Sequence, residues 1–357
     1  MSAYSTLKAA WHLERIARLR AGHDIVPTHL HFIVSDLCNQ DCHFCAYRMA
    51  DGFSVEQFAE AGNRNPARFI PTAKALEILD DCAELGCTSI EFTGGGEPTV
   101  HPDFWRILAH AQSLGLETGL VTNGTRLLAL PDQGPLWRLT WLRVSLDAAR
   151  SSTYQAMRRS PLFRRVLATL EILGKGQTSA QRPAPAPYIG VGFVVTRENC
   201  AEILDAARIV KACGLSYLRL SAMFSQRGAA YYDGLAEAID AQRAAARELE
   251  GDGFKLVDLF TARVEDLRQQ APDYAFCGEQ QFVLYIGGNQ KIYRCCTTSY
   301  TRHGEIGDLR EQRFADWLKA TRRYDFDART CHHCQFNEKN RLINFLVREP
   351  PQHVGFV

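Results

Sequence analysis

The 357-residue sequence predicts an α/β fold: a partial (βα)6 TIM-like barrel followed by a small C-terminal α+β domain. Three observations carry that reading. Short β-type runs alternate with longer helical ones from about residue 28 to residue 223, the alternation stops after Met223, and five cysteines gather from Cys277 onward. Six β-then-α units in a row imply a parallel sheet with right-handed crossovers. Six is short of the eight that close the familiar barrel, so an open or partial one is expected.

The first element, "MSAYSTLKAAWHLERIARLRAGHD", reads as a helical extension over residues 1–27, with Leu7, Trp11 and Ile16 on one side. It holds no apolar run long enough for a signal peptide or a membrane span. Strands are expected at His29–Ser35, Ser89–Gly94, Glu117–Gly124, Trp141–Ala148, Ile189–Thr196 and Tyr217–Met223. All are short, rich in Val, Ile, Leu, Phe and Thr, and bounded by Gly, Asn or Asp. The helical runs between them, such as "TAKALEILDDCAELG" and "NCAEILDAARIVKACG", end at or near glycine. The polar, proline-rich stretch Lys175–Pro187 is a surface loop. The barrel core therefore spans residues 28–230, a helical linker 231–276, and a cysteine-bearing domain with its tail 277–357.

Composition narrows the function. The chain is 46% hydrophobic and 23% charged, as ordinary globular proteins are. With 41 Lys and Arg against 40 Asp and Glu, a net charge of +1 gives no electrostatic case for wholesale nucleic-acid binding. No export signal is visible, so a cytoplasmic protein with no membrane partner is expected. In a reducing compartment, twelve cysteines point to metal or redox chemistry over disulfides.

The loop after the first strand, "SDLCNQDCHFCAYRM", holds Cys38, Cys42 and Cys45 in a C-x3-C-x2-C pattern with no fourth cysteine nearby. Three thiolates can hold three irons of a cubane and leave the fourth iron open for chemistry. A three-ligand zinc site completed by His43 or a distant residue is the alternative. The motif, with Phe44 before its last cysteine, resembles the signature of the radical S-adenosylmethionine (radical SAM) superfamily. The resemblance implies a catalytic 4Fe–4S cluster on Cys38, Cys42 and Cys45, its open iron chelated by S-adenosylmethionine. It further implies reductive cleavage of that cofactor to a 5′-deoxyadenosyl radical that takes a hydrogen atom from a substrate, with an electron donor such as flavodoxin or ferredoxin.

Gly94, Gly95, Gly96 and Glu97 follow the second strand and resemble the family's GGEP motif, which binds the methionyl amino group largely through backbone atoms. Glu97 reads as an organiser of that turn more than a base. Ser145 and Asp147 share one face of the fourth strand by its period of two, placing them toward cofactor or, for Asp147, substrate. Thr122 and Asn123, ending the third strand, are further candidates for cofactor binding, Asn123 foremost, where a plain turn is the alternative. Thr196, Arg197 and Asn199 lie in a segment that resembles one running along the adenosine, although Asn199 also suits a helix cap.

Among the later cysteines, "NQKIYRCC" resembles the hairpin of the SPASM and twitch extensions of the same superfamily, with Gln290 where glycine is usual; "GEIGDL" resembles the segment after it. A full SPASM domain needs about seven cysteines. Five imply a twitch-like iron–sulfur domain with one auxiliary 4Fe–4S cluster on Cys277, Cys295, Cys331 and Cys334. Cys296 either replaces Cys295 or lies idle, and the Cys331–Cys334 "CHHC" knuckle also suits zinc, with His332 or His333 in reserve. Cys82, Cys87, Cys200 and Cys213 read as structural thiols on apolar helical faces. The tail contacts substrate through Lys339, Arg341 or His353, or forms a helix covering the cluster.

A radical SAM enzyme acting on a small molecule such as an amino sugar, amino acid or nucleotide is thus expected. No leader-peptide recognition domain is evident in the N-terminal segment, so peptide maturation is the second reading. A non-catalytic, zinc-stabilised binding module is the alternative from another class.

Overall fold

Every strand marked by the alternation forms, and each lies beside its neighbour in chain order. β1 (His29–Phe32), β2 (Ser89–Phe92), β3 (Glu117–Thr122), β4 (Trp141–Ser145), β5 (Tyr188–Val195) and β6 (Tyr217–Ala222) pair in parallel in the computed structural model. It describes residues 5–48, 55–129, 134–177, 185–225, 227–251, 253–269 and 271–348. His353 and most of the Lys175–Pro187 loop therefore lie outside the described residues.

Four more strands extend the sheet at its two edges. β7 (Lys255–Asp258) pairs parallel with β6, inside the span expected as a helical linker. Its four residues run almost directly into the helix Phe260–Gln269, which left no stretch long enough to show a period of two. β8 (Val283–Ile286) pairs parallel with the other side of β1, and β9 (Lys291–Tyr293) and β10 (Glu305–Asp308) follow as antiparallel neighbours. Among the described residues the result is one open ten-stranded sheet, ordered β10-β9-β8-β1-β2-β3-β4-β5-β6-β7. The cysteine-bearing hairpin, expected in a domain of its own, is thus hydrogen-bonded into the barrel sheet.

The two faces of that sheet differ. Leu30, Phe32, Ile90, Phe92, Leu120, Leu142, Val144, Val191 and Leu218 pack outward against Ile78, Leu79, Ile107, Leu108, Val166 and Leu170 of the surrounding helices. Burying each large apolar side chain contributes about 1.5–3 kcal/mol, and this layer sets the strand register. The alternate residues, including His29, His31, Glu91, Arg143 and Arg219, point to the inner face and are only half-buried.

At the N-terminus the expected single helix is broken at His12 into a 3₁₀ turn, Thr6–Trp11, and a helix, Leu13–Arg20. The break rotates Leu7 and Trp11 away from the buried Ile16, leaving Leu7 51% and Trp11 75% exposed. The C-terminal helix Asn337–Val347 packs on these elements, with Arg20 Nε donating to the Leu346 carbonyl at 2.6 Å.

Candidate active site

The three-cysteine loop leaves the carboxyl end of β1, where folds of this kind gather their chemistry. Its entrance is fixed by the buried Asp36. That carboxylate pairs with Arg68 at 2.7 Å and accepts from the Tyr300 hydroxyl and from the Gly288 N–H at 3.1 Å. Burial pushes the Asp36 pKa up, against the pull of Arg68 and Tyr300. Farther along, the Asp41 and His43 N–H groups donate to the carbonyls of Arg158 and Met157 at 3.4 and 3.0 Å.

Arg158 is the loop's buried brace. Its guanidinium pairs with Asp147, donates to Gln40 Oε1 at 2.9 Å, stands 3.8 Å from Cys42 Sγ, and lies over the Phe44 ring at 5.7 Å. Nothing near Cys42 in sequence signals an arginine more than a hundred residues away.

Cys38, Cys42 and Cys45 line one cavity of about 350 Å³ together with Gly94, Gly95, Gly96, Val194, Met223 and Cys296. Burial pushes Cys38 up to about 12 and also raises Cys42, so bare thiolates are unfavourable there and a bound metal centre must offset the loss of the protons. Four sulfurs around one zinc ion would sit about 3.8 Å apart. Among the described residues no set of three cysteine sulfurs lies within 4.8 Å of one another, so none is gathered tightly around a single-ion position.

The glycine turn meets the loop backbone to backbone. A Cβ on Gly96 would fall 2.1 Å from the Leu37 carbonyl, and one on Gly94 would fall 1.7 Å from the Gly96 carbonyl. Only glycine fits at either place. Asn65 Nδ2 ties the two segments by donating to the Asp36 and Gly95 carbonyls, both at 2.7 Å. Glu97 is buried, and its carboxylate is filled by the Thr99 N–H and hydroxyl, the Thr122 hydroxyl at 2.6 Å and the Asn123 N–H at 2.7 Å.

The remaining expected cofactor residues are placed less uniformly. Ser145, at the end of β4, keeps a half-buried hydroxyl with no hydrogen bond to the described residues. Asp147 does not share its face, because the chain leaves the strand and turns there through φ 58°. The Asp147 carboxylate is buried against Arg158 and the Val194 N–H, and so is committed within the protein. Asn123 donates to Asn39 and accepts from Thr125. Thr196 is fully buried, while Arg197 is exposed and bound to the Tyr231 carbonyl. Asn199 stands at the N-cap of the 3₁₀ turn Cys200–Glu202 without a side-chain cap hydrogen bond; its amide bridges Thr196 N–H and the carbonyls of Asp147 and Val194.

The later cysteines separate into four and one. Cys277, Cys295, Cys331 and Cys334 lie within electrostatic reach of one another, and burial raises Cys277, pushes Cys331 up to about 12 and Cys334 to about 11. Cys334 Sγ accepts from the Tyr274 hydroxyl at 3.0 Å, the Phe336 N–H at 3.3 Å and Asn340 Nδ2 at 3.6 Å, as a thiolate ligand would. Beside the four lies Arg294, stacked over Phe326 at 4.1 Å, bonded to Gln280, and with no carboxylate partner among the described residues. An anionic cluster held there would supply the counter-charge that this cation lacks. Cys296 faces the other way, into the Cys38–Cys42–Cys45 cavity, in contact with Gln335. In the tail, Lys339 pairs with Glu279 at 2.7 Å and Arg341 with Asp273 at 3.2 Å. Cys82, Cys87 and Cys200 are buried and Cys213 is half-buried, all as free thiols.

The family model for the Radical SAM superfamily matches residues 32–180, from β1 past β4 and including every residue of the cysteine loop and glycine turn. Residues 32–180 of the chain thus match the radical SAM superfamily. It is 32% identical over 146 residues to an S-adenosylmethionine-dependent nucleotide dehydratase of Flammeovirga pacifica, covering 40% of this chain and 46% of that protein. It is 27% identical over 215 residues to the mycofactocin maturase MftC of Mycolicibacterium smegmatis, covering 58% and 47%. The chain thus spans about half the length of these curated relatives. Streptococcus suis SuiB, solved with its precursor peptide SuiA, shares the fold at TM-score 0.59 and 14% identity, over 90% of this chain and 73% of that one. The match supports an enzyme that uses a 4Fe–4S cluster and S-adenosylmethionine over a non-catalytic zinc module. No helix among the described residues is long and apolar enough to cross a membrane.

Proposed function

We propose that this radical SAM enzyme cleaves S-adenosylmethionine reductively and takes a hydrogen atom from a small, polar substrate held against the inner face of the barrel. The observation that carries the reading is the shared cavity, where Cys38, Cys42 and Cys45 meet the backbone of Gly94–Gly96 and the residues Cys296, Thr297 and Gln335 from the cysteine-rich region. When bound, cluster and cofactor supply one electron and a carbon-centred hydrogen acceptor. The chain's own residues do the rest. Cys38, Cys42 and Cys45 hold the cluster, Gly94–Gly96 present backbone polar groups to the methionyl end, and Ser145 offers a free hydroxyl at the strand end.

Asp147, Asn123, Thr196 and Glu97 act one step back, by fixing the turns from which those groups project. Arg197, on the surface, is assigned no contact. An auxiliary 4Fe–4S cluster on Cys277, Cys295, Cys331 and Cys334 exchanges electrons with the substrate or the external donor. The polar inner face, with Arg143 and Arg219 half-buried on it, favours a small polar molecule over an extended peptide.

Anaerobically reconstituted protein, given S-adenosylmethionine and a strong reductant, should release 5′-deoxyadenosine. Deuterium from a labelled amino sugar, amino acid or nucleotide should then appear in it. Colourless, zinc-loaded protein that releases none would refute the reading, and label arriving only from a peptide would shift the substrate to peptide maturation.

A further inference from the structure

The inner face of the barrel carries one group that this chemistry does not use. His29 and His31 lie two residues apart on β1, and Glu91 lies opposite His31 on β2, so all three side chains point inward. His29 Nε2 stands 3.8 Å from Glu91 Oε2, and His31 Nδ1 stands 3.6 Å from Glu91 Oε1. One ligand atom from each lies within 4.8 Å of the other two.

These distances are informative because they are slightly too long. Both exceed a hydrogen bond, and the three side chains make none to other described residues. Polar groups withdrawn from bulk water are destabilising when they are left without partners. Ligand atoms around a tetrahedral ion, each 2.0–2.2 Å from the metal, sit about 3.4 Å apart. The observed gaps are close to that spacing.

We propose that His29, His31 and Glu91 bind a divalent transition-metal ion, zinc or ferrous iron, on the inner wall of the barrel, with at least one coordination position open to the interior. Two imidazoles and a carboxylate are a ligand set that both ions accept. All three ligands project from paired strands in fixed register, which pre-organises them. Tyr285 on β8 stacks on His31 with ring centroids 4.2 Å apart and fixes that ring's plane. Of the cations that face the group, Lys339 is neutralised by Glu279, Arg143 lies 5.4 Å over the Trp141 ring, and Lys8 stands on the N-terminal 3₁₀ turn. Burial also holds both imidazoles neutral, pushed down to about 3. Their side chains keep 27% and 17% exposure, which leaves room for a ligand at the imidazole edges.

The test uses the anaerobically reconstituted, iron-loaded protein, dialysed to equilibrium against micromolar Zn2+, with bound zinc and iron measured by mass spectrometry. One zinc per chain beyond the iron is expected. Glu91→Gln and, as a second variant, His29→Asn should each weaken it at least about 100-fold, more than loss of an outer-sphere partner does. Iron content and melting temperature should stay unchanged. Zinc binding that is absent from the unsubstituted protein, that persists in both variants, or that vanishes in Cys296→Ser instead, overturns the proposal. Iron content and 5′-deoxyadenosine release report separately on the radical chemistry, so the two readings fail independently.

Discussion

The two cysteine groups of this protein are built in opposite ways. Cys38, Cys42 and Cys45 occupy eight consecutive positions on one loop, and a single buried pair, Arg158–Asp147, braces it from outside. Cys277, Cys295, Cys331 and Cys334 come from three segments spread over 58 positions, and their half-buried arginine, Arg294, has no carboxylate partner among the described residues. The first group is pre-formed by short-range geometry. The second depends on long-range folding and, for its charge balance, on what the four sulfurs bind. Chelation therefore couples to folding differently at the two places: strongly where ligands converge from afar, weakly where the chain already gathers them.

Substitutions can break or sharpen this contrast. The largest effect is expected for Cys42→Ala, which should reduce 5′-deoxyadenosine release to background and remove about half of the roughly eight irons, read by iron analysis and product chromatography. Next comes the pair Cys295→Ala and Cys296→Ala. The former should lose about four irons, while the latter should retain all of them, and equal losses would erase the division between auxiliary ligand and cavity thiol.

A smaller loss is expected when the external brace is broken. Asp147→Asn leaves Arg158 buried without its counter-charge and should destabilise the apo-protein by about 3–5 kcal/mol in urea unfolding. Arg294→Gln should leave apo-protein stability within about 1 kcal/mol, because the counter-charge there arrives only with the cluster. In the loaded protein the same substitution should lower the reduction potential of the auxiliary centre, measured by redox titration. Trp11→Ser, on the exposed N-terminal turn, should change stability by less than about 0.5 kcal/mol.

What the sequence made legible follows the same division. The cysteine loop, the glycine turn and the six alternating strands are local signals, readable from spacing and period. Asp147 was misplaced on a strand face because a left-handed turn at a non-glycine residue leaves no mark in a period-two pattern. Arg158, Asp36 and Tyr300 carried no signal, since their meaning lies in partners far along the chain. β7 is too short to show a period of two, and β8 reads in sequence as half of a separate hairpin although it pairs with β1. The four auxiliary cysteines were grouped by resemblance, and the side on which Cys296 lies needed coordinates.

The pairing of β8 with β1 has a mechanical consequence. Both cysteine groups are suspended from adjoining rungs of one hydrogen-bonded ladder, with Asp36 clamped to the Gly288 turn just above it. The β1–β8 pairing and this clamp would hold centres bound at the two places at a nearly constant separation. Electron tunnelling across that gap would keep the same distance whether the chamber is vacant or filled.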